Sequence, residues 1–182
     1  MTQKDVLFNG RWLKLCCRGQ WEFAERTNPG GAVLVIAVTP EDKVLFVEQW
    51  RAAIDARAIE MPAGLIGDDP GSHDEPAIEA ARRELLEETG YSCGHIDYYI
   101  TGPTSAGMSN ETITFVRAWN LVREHAGGGV EGEDIVIHEV PRAAAARWLC
   151  RKAAEGYSID PKVFAGLYLL EHGEVLFKPD SI

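Results

Sequence analysis

Three glutamates in the middle of the chain have the spacing of a metal-binding set. Glu84, Glu87 and Glu88 stand three and four residues apart, so they share one face if the segment is helical. Like charges at this spacing weaken a helix by about 0.2–0.5 kcal/mol per pair. A hard divalent cation such as Mg²⁺ prefers carboxylate oxygens and would turn the repulsion into attraction. The alternative interpretation is an exposed helix face on which Arg82 and Arg83 neutralise the glutamates.

The residues around the glutamates predict the helix that would position them. Ile78, Ala81 and Leu85 form an apolar stripe at helical spacing, and Gly90 is a natural C-terminal stop. These signals predict a helix over residues 75–89.

Apolar runs elsewhere predict strands and two more helices. Residues 32–38 form an uninterrupted apolar run, typical of a strand buried on both faces, and residues 44–47 are expected to pair with it as a hairpin. Further strands are predicted over residues 96–100, 111–119 and 135–137, and further helices over residues 142–155 and 161–172, the last ending at Gly173. This order of elements predicts an α+β sandwich.

Composition limits the class of partner. The 182 residues, 46% of them hydrophobic, favour one domain with a small N-terminal appendage, and the net charge of −10 would repel nucleic acids and anionic membranes. No segment is long enough to span a bilayer, and no signal peptide is recognisable. The four cysteines form no C-x-x-C pair, so reduced thiols in the cytoplasm are expected. A phosphorylated substrate would also be repelled unless local arginines or a metal reverse the sign.

The segment from Gly64 to Tyr91 resembles the Nudix box, Gly-x5-Glu-x7-Arg-Glu-U-x-Glu-Glu-x-Gly-U, where U is a bulky apolar residue. From Glu75 onward the match is complete. Upstream, ten residues instead of five separate Gly64 from Glu75, which leaves the shape of the loop and the role of Glu75 open. Segments outside the box resemble ADP-ribose and ADP-sugar pyrophosphatases, and they are residues 47–51, 60–66, 107–111, 131–135 and 159–164.

The resemblance implies a fold and a division of the chain. The fold is a Nudix α/β/α sandwich with a mixed central sheet, preceded by a small N-terminal β segment. Residues 1–30 would serve dimerisation and base binding, and residues 31–182 would form the hydrolase domain.

The resemblance also implies a metal site. Mg²⁺, with Mn²⁺ as an alternative, would be held by Glu84, Glu88 and the backbone carbonyl of Ala63. Glu87 would be an additional ligand or an orienting neighbour, and it is counted among the catalytic residues. Arg83 would hold the glutamates by ion pairing.

The catalytic base is expected on a loop after the box. Glu133 is the best match, with Glu131, Asp134 and Glu139 as alternatives. The glycines at 127–129 would open a flexible loop that closes on the substrate.

Substrate-binding residues are carried over in the same way. Arg51 would contact a phosphate, with a surface salt bridge as the alternative interpretation. Glu60 and Met108 lie in segments that resemble the pyrophosphatases and are predicted to contact the substrate.

Two tryptophans are the candidates for base recognition. Trp12 and Trp21 resemble residues that stack an adenine between two indoles contributed by different subunits, and Glu22 would accept a hydrogen bond from the adenine amino group. The alternative is two ordinary half-buried tryptophans. The implied assembly is a homodimer.

The function implied is Mg²⁺-dependent hydrolysis of the diphosphate bond of a nucleoside diphosphate sugar, with ADP-ribose cleaved to AMP and ribose 5-phosphate. GDP-mannose, UDP-glucose and NADH are alternative substrates. A non-catalytic nucleotide sensor and an isoprenoid diphosphate isomerase are alternatives of other classes. Neither fits as well, because the three glutamates are retained and no cysteine has a convincing catalytic placement.

Overall fold

The computed structural model describes residues 2–28, 30–68, 74–130 and 132–176. Within these residues the chain forms eleven strands and three α-helices. The strands are β1 (Lys4–Asn9), β2 (Leu13–Arg18), β3 (Trp21–Arg26), β4 (Ala32–Ala37), β5 (Lys43–Arg51), β6 (Ala56–Glu60), β7 (Ala63–Leu65), β8 (Tyr91–Pro103), β9 (Thr112–Arg123), β10 (Val136–Pro141) and β11 (Ser158–Ile159). The helices are α1 (Ala77–Thr89), α2 (Ala145–Ala154) and α3 (Lys162–Leu176).

The described strands form three sheets. The N-terminal sheet is antiparallel and has the order β1-β2-β3. The second sheet has the order β7-β4-β9-β8, and its β4 and β9 run parallel. The third has the order β10-β5-β6-β11, and its β6 and β11 run parallel. The expected mixed central sheet is therefore two mixed sheets of four strands each.

Strand β4 separates two apolar cores. Val33 and Val35 pack with the apolar face of α1, whereas Leu34 and Ile36 pack with residues of α2 and α3. Alternate side chains of a strand point to opposite faces, so both faces of β4 are covered. This confirms the predicted two-sided burial and the α/β/α sandwich.

Helix α1 is shorter at its N-terminus than predicted. Pro76 has an extended backbone and acts as the N-cap, so the helix begins at Ala77 rather than at residue 75. Ala81 and Leu85 are fully buried, which confirms the apolar stripe. The helix ends where predicted, because Gly90 adopts a φ of 73° that closes the last turn.

The predicted hairpin of β4 and β5 is wrong. The two strands lie in different sheets, and a single isolated bridge between Val38 and Val44 joins them. Both edges of β4 are already occupied by β7 and β9, so β5 pairs with β6 and β10 instead.

Helix α3 does not end at Gly173 but continues to Leu176. A Cβ atom at Gly173 would overlap the ring of Tyr99, and one at Gly166 would overlap the side chain of Met61. These glycines allow close packing of the helix on the sheet rather than a stop. Among the described residues, no helix has the length and apolar character needed to cross a bilayer.

Candidate active site

A cleft of about 710 Å³ lies where α1, β7 and the ends of β3, β5, β6 and β11 meet. Its lining is rich in charged side chains, most of them acidic. They are Arg26, Arg51, Glu60, Asp68, Glu84, Glu88, Glu111, Glu133, Asp160 and Lys162. The cleft therefore concentrates much of the negative charge of the chain at one place.

Each lysine and arginine in this lining already has an acidic partner. The pairs are Arg26 with Glu111, Arg51 with Glu60, and Lys162 with Asp160. Asp68, Glu84, Glu88 and Glu133 have no cationic partner within the described lining. The cleft thus carries an acidic surplus that an added cation would neutralise.

Glu88 is the most deeply buried of these acids, with 5% of its surface exposed. Its Oε2 accepts a hydrogen bond from the backbone N–H of Ala63 at 3.0 Å, which ties α1 to β7. Burial raises the pKa of Glu88 to about 8; the Ala63 hydrogen bond opposes the shift, and the nearby charges of Glu84 and Glu133 add to it. A divalent cation at this carboxylate would remove the cost of ionising it.

Glu84 lies against the backbone of β7. A Cβ atom at Gly64 would overlap the Glu84 carboxyl group, so only glycine allows this approach. Arg83 Nη1 donates to Glu84 Oε1 at 2.9 Å. Burial nevertheless raises the pKa of Glu84, and the charges of Glu87 and Glu133 act in the same direction. The close approach of α1 to β7 at Gly64 therefore depends on the absence of a side chain there.

Arg83 links the helix to the segment that follows β7. Its Nε and Nη2 each lie 3.2 Å from the carboxylate of Glu75, and Nη2 also donates to the carbonyl of Leu65 at 3.0 Å. The N–H of Gly67 donates to Glu75 at 2.9 Å. Glu75 therefore stays attached to the site in spite of the ten-residue gap counted in the sequence. Residues 69–73 of that gap lie outside the described part of the chain.

Glu87 separates from the other two glutamates. Its carboxylate lies 3.3 Å from Arg83 Nη1, 35% of its side chain is exposed, and it does not line the cleft. Only Glu84 and Glu88 of the three face the cleft. The metal-ligand and catalytic roles assigned to Glu87 stay predictions.

The donor set fits a hard divalent cation, although the side chains do not form a closed cage. No group of three or more His, Cys, Asp or Glu side chains in the described ranges is close enough to enclose a metal ion. Glu84 and Glu88 both line the cleft, as does Ala63, and burial raises the pKa of both carboxyl groups. Mg²⁺ usually keeps several waters and binds through one or two carboxylates, so an open arrangement of this kind suits it.

Glu133 reaches the cleft from the loop between β9 and β10. It is solvent-exposed, lines the cleft, and accepts a hydrogen bond from the Val130 N–H at 3.0 Å. Asp134 is instead paired with Arg57 at 2.8 Å, and Asp134 does not line the cleft. Glu139 is paired with Lys43 and Arg123 away from the cleft. Glu131 lies outside the described residues, so the geometry favours Glu133 among the described acids.

The residues predicted to bind the base do not line the cleft. Trp12, Trp21 and Met108 are 67%, 61% and 69% exposed, and Glu22 is exposed as well. In the single chain the two tryptophans are exposed rather than half-buried, and their role in base binding stays a prediction. Arg51 and Glu60 do line the cleft, but they bind each other through two hydrogen bonds of 2.6 and 2.9 Å.

Trp12 and Trp21 lie at opposite ends of one hairpin. In the pairing of β2 with β3, Leu13 faces Arg26 at one end and Arg18 faces Trp21 at the other. At about 3.3 Å per residue the two ends are roughly 16 Å apart. A single chain therefore does not bring both indoles onto the same base.

Several cleft residues escaped the sequence reasoning. Arg26, Asp68, Glu111, Asp160 and Lys162 line the cleft but were given no role, although the last three lie in segments that resemble the pyrophosphatases. Asp160 carried a signal of another kind, since its position before α3 suits a helix cap, and its Oδ1 accepts from the Lys162 N–H at 2.9 Å. The remaining residues are brought together only by the packing of separate elements.

Comparison with known proteins gives one family. The model of the NUDIX domain matches residues 28–164. The methanol dehydrogenase activator of Bacillus methanolicus is 35% identical, over 72% of each chain. The ADP-ribose pyrophosphatase of Bacillus subtilis is 31% identical over 75% of each chain, and the GDP-mannose pyrophosphatase of Escherichia coli K12 is 34% identical over 70% of this chain and 67% of its own.

A solved structure has the same fold. A crystal structure of an ADP compounds hydrolase superposes with a TM-score of 0.71, covering 99% of this chain and 95% of the other at 19% identity. The match extends over the N-terminal sheet as well as the two mixed sheets.

Proposed function

The chain belongs to the NUDIX family of hydrolases, and on this premise we propose that it cleaves the diphosphate bond of a nucleoside diphosphate sugar, with ADP-ribose as the first candidate. The products would be AMP and ribose 5-phosphate. The observation that carries the proposal is the acidic surplus of the cleft, where Glu84, Glu88 and Glu133 face one space without cationic partners in its described lining. Relatives named ADP-ribose and GDP-mannose pyrophosphatase support the substrate class.

Glu84, Glu88 and the carbonyl of Ala63 would hold the metal. A bound divalent cation, Mg²⁺ in the first instance, would neutralise the diphosphate and lower the pKa of the attacking water. Glu133 would accept the proton of that water, because its carboxylate faces the same space and makes only one hydrogen bond within its loop. Arg83 would keep Glu84 and Glu87 in place without contacting the substrate.

Arg51 and Glu60 would bind the substrate by exchanging partners. The guanidinium of Arg51 makes a two-point contact with the carboxylate of Glu60, and a phosphate group offers the same geometry. Transfer of Arg51 to a phosphate would leave Glu60 able to accept a hydrogen bond from a sugar hydroxyl. Arg26 also lines the cleft and is paired with Glu111. It would exchange this partner for a phosphate in the same way as Arg51.

We also propose that the active form is a homodimer in which the N-terminal sheet completes the base pocket. This sheet exposes a set of large apolar side chains that a monomer would leave in water, namely Val6, Leu7, Phe8, Trp12, Leu13, Leu15 and Trp21. The separation of Trp12 from Trp21 within one hairpin supports a pocket built from two chains. Glu22, next to Trp21, would then accept from the adenine amino group, and Met108 would lie at the edge of the pocket.

A panel of nucleotide sugars tests the proposed reaction. The parent protein is incubated with Mg²⁺ and ADP-ribose, GDP-mannose, UDP-glucose or NADH, and the nucleotide products are separated by chromatography. We expect the fastest release from ADP-ribose and none from a Glu84→Gln, Glu88→Gln double variant. GDP-mannose is the second candidate, because the relatives named for it are about as similar as the one named for ADP-ribose. Absence of hydrolysis of every nucleotide sugar by the parent would refute the proposal.

The dimeric base pocket needs a separate test. Aromatic stacking on a base contributes about 1–3 kcal/mol, so Trp12→Ala and Trp21→Ala should each raise KM for ADP-ribose by about fivefold or more. Trp50 is also exposed but lies outside the N-terminal sheet, so Trp50→Ala is the matched control. Light scattering should give twice the monomer mass. A monomer with an unchanged KM in both variants would contradict the pocket.

A further inference from the structure

The loop that carries Glu133 is attached to the end of α1. The N–H groups of Gly128 and Gly129 donate to the carbonyls of Glu88 and Glu87 at 2.9 and 3.0 Å. Gly127 has a φ of 71°, and a Cβ atom there would overlap the backbone of Thr89. The glycines at 127–129 are therefore used for close docking against the helix, not for the free hinge that the sequence suggested.

The other end of the same loop is attached to the third sheet. Arg57 on β6 donates from Nη1 to Asp134 Oδ2 at 2.8 Å, and from Nη2 to the carbonyl of Asp134 at 3.4 Å. Asp134 directly follows Glu133 and is followed by Ile135, which is buried. The peptide that bears the Glu133 side chain is thus fixed on its C-terminal side by a single arginine.

Arg57 is itself held by a buried acid. Its Nε lies 2.5 Å from Glu48 Oε1, and Glu48 is only 6% exposed. The other oxygen of Glu48 lies 2.9 Å from His138 Nε2, and the His138 ring packs 4.9 Å from the centre of Trp148. The arginine is therefore restrained from the interior of the protein outward to the loop.

We propose that Arg57 is a positioning residue, which acts through Asp134 to hold Glu133 at the acidic cleft. The proposal rests on the proposed function of Glu133 as the base. The carboxylate of Glu133 accepts from the N–H of Val130, and the N–H of Glu133 donates to the carbonyl of Val130, so among the described residues both bonds stay within the loop. A base has to lie within about 3 Å of the water that it deprotonates, and a displacement of about 1 Å can cost about a hundredfold in rate. The ion pair with Asp134 supplies the missing restraint.

Two variants test the proposal, and both are made in the full chain. Arg57→Gln removes the restraint but leaves Glu48 buried without its arginine. Asp134→Asn leaves the Glu48–Arg57 pair intact, and the Asp134 side chain is 78% exposed, so folding should not suffer. For both we expect kcat to fall about tenfold with KM changed less than about twofold, because the base is displaced while substrate contacts remain. Arg57→Lys, which keeps the charge, should recover part of the loss.

The matched control is Arg123→Gln. This change also breaks an exposed arginine–glutamate pair, with Glu139, but at a position that does not line the cleft. It should leave kcat unchanged. In a Glu133→Gln background, Asp134→Asn should have no further effect on kcat, since the restraint acts only through Glu133.

Hydrogen–deuterium exchange separates this proposal from the proposed function. In the substrate-free protein, amides of residues 132–135 should exchange faster in Arg57→Gln and Asp134→Asn than in the parent and in Arg123→Gln. Unchanged exchange in Arg57→Gln and Asp134→Asn would overturn the proposal. It would also be overturned if exchange is faster in these variants but their kcat is unchanged, while Glu133→Gln lowers kcat. If the parent hydrolyses no nucleotide sugar, the proposed function fails, and the exchange comparison still decides whether Arg57 holds the loop.

Discussion

Two glutamates in different regions of the molecule are almost equally buried but lie in opposite electrostatic environments. Glu88 in the cleft is 5% exposed and Glu48 on β5 of the third sheet is 6% exposed. Burial raises the pKa of Glu88 to about 8. At Glu48 burial acts in the same direction, but hydrogen bonds from His138 and Arg57 outweigh it and lower the pKa.

The difference lies in the partners that the fold supplies. Glu48 is paired with the guanidinium of Arg57 and hydrogen-bonded to the ring of His138, so its charge is neutralised inside the protein and the network serves structure. Glu88 has one backbone N–H and two nearby acids, and Arg51, the cation whose charge lowers its pKa, is hydrogen-bonded to Glu60 instead. A buried carboxylate without a cation is costly, and such costs persist where a ligand offsets them. The contrast therefore distinguishes a binding site from a structural network of the same residue type.

The largest expected effect concerns catalysis. Glu88→Gln should lower kcat/KM for the best substrate by about a thousandfold, the size of the several kcal/mol that a bound metal contributes. Glu48→Gln should lower it by no more than about tenfold, through the loss of support for Arg57. Steady-state kinetics with Mg²⁺ measure both. Equal losses of kcat/KM in the two variants would show that Glu88 is no more important for catalysis than Glu48.

The second effect concerns the free energy of unfolding. Here Glu48→Gln should cause the larger loss, whereas Glu88→Gln causes the larger loss of activity. Glu48→Gln removes one member of a buried ion pair, so the free energy of unfolding should fall by about 3 kcal/mol. Urea denaturation of the metal-free protein measures the loss. Glu41 is an exposed glutamate, and Glu41→Gln should stay within about 0.5 kcal/mol of the parent. A loss of the same size in the control would mean that burial at position 48 does not matter.

The third effect is a gain in stability. The same change of glutamate to glutamine, made at Glu88 in the cleft, should stabilise the metal-free protein instead of destabilising it. In the folded, metal-free protein the pKa of Glu88 is about 8. The same side chain is ionised in the unfolded chain near neutral pH, so folding must protonate it or bury its charge, and either change costs free energy. Glu88→Gln removes that cost and should raise the free energy of unfolding by about 2 kcal/mol. The measurement is made with a chelator present. Destabilisation instead would show that the buried carboxylate is compensated by a partner.

The smallest effect is a pH dependence of stability. Hydrogen bonds from His138 and Arg57 hold the pKa of Glu48 in the folded protein below the ordinary glutamate value of 4.5. Its contribution is therefore present above that value and is lost as the pH falls through the folded pKa. The free energy of unfolding, measured by urea denaturation at each pH, should fall less steeply on acidification in Glu48→Gln than in the parent, by about 1 kcal/mol over this range. Parallel curves for the two proteins would argue against the ion-paired state of Glu48.

The sequence predicted the parts of the fold that depend on local pattern. The end of α1 at Gly90, its apolar stripe and the two-sided burial of β4 follow from the spacing of neighbouring residues. The hairpin of β4 with β5 and the stop at Gly173 were wrong, because edge occupancy and close packing on Tyr99 depend on residues distant in sequence. The division at residue 30, the homodimer, the cytoplasmic location and the choice of metal stay predictions.

For the site, the sequence by itself determined the acidic helix, because three carboxylates and an arginine at fixed offsets suffice to mark it. Only the tertiary structure decided that Glu84 and Glu88 face the cleft while Glu87 turns to Arg83. It also decided that Arg57 reaches the loop of Glu133. The physical reason is that spacing fixes which side chains share a helix face, whereas burial and partners are set by the elements packed against that face.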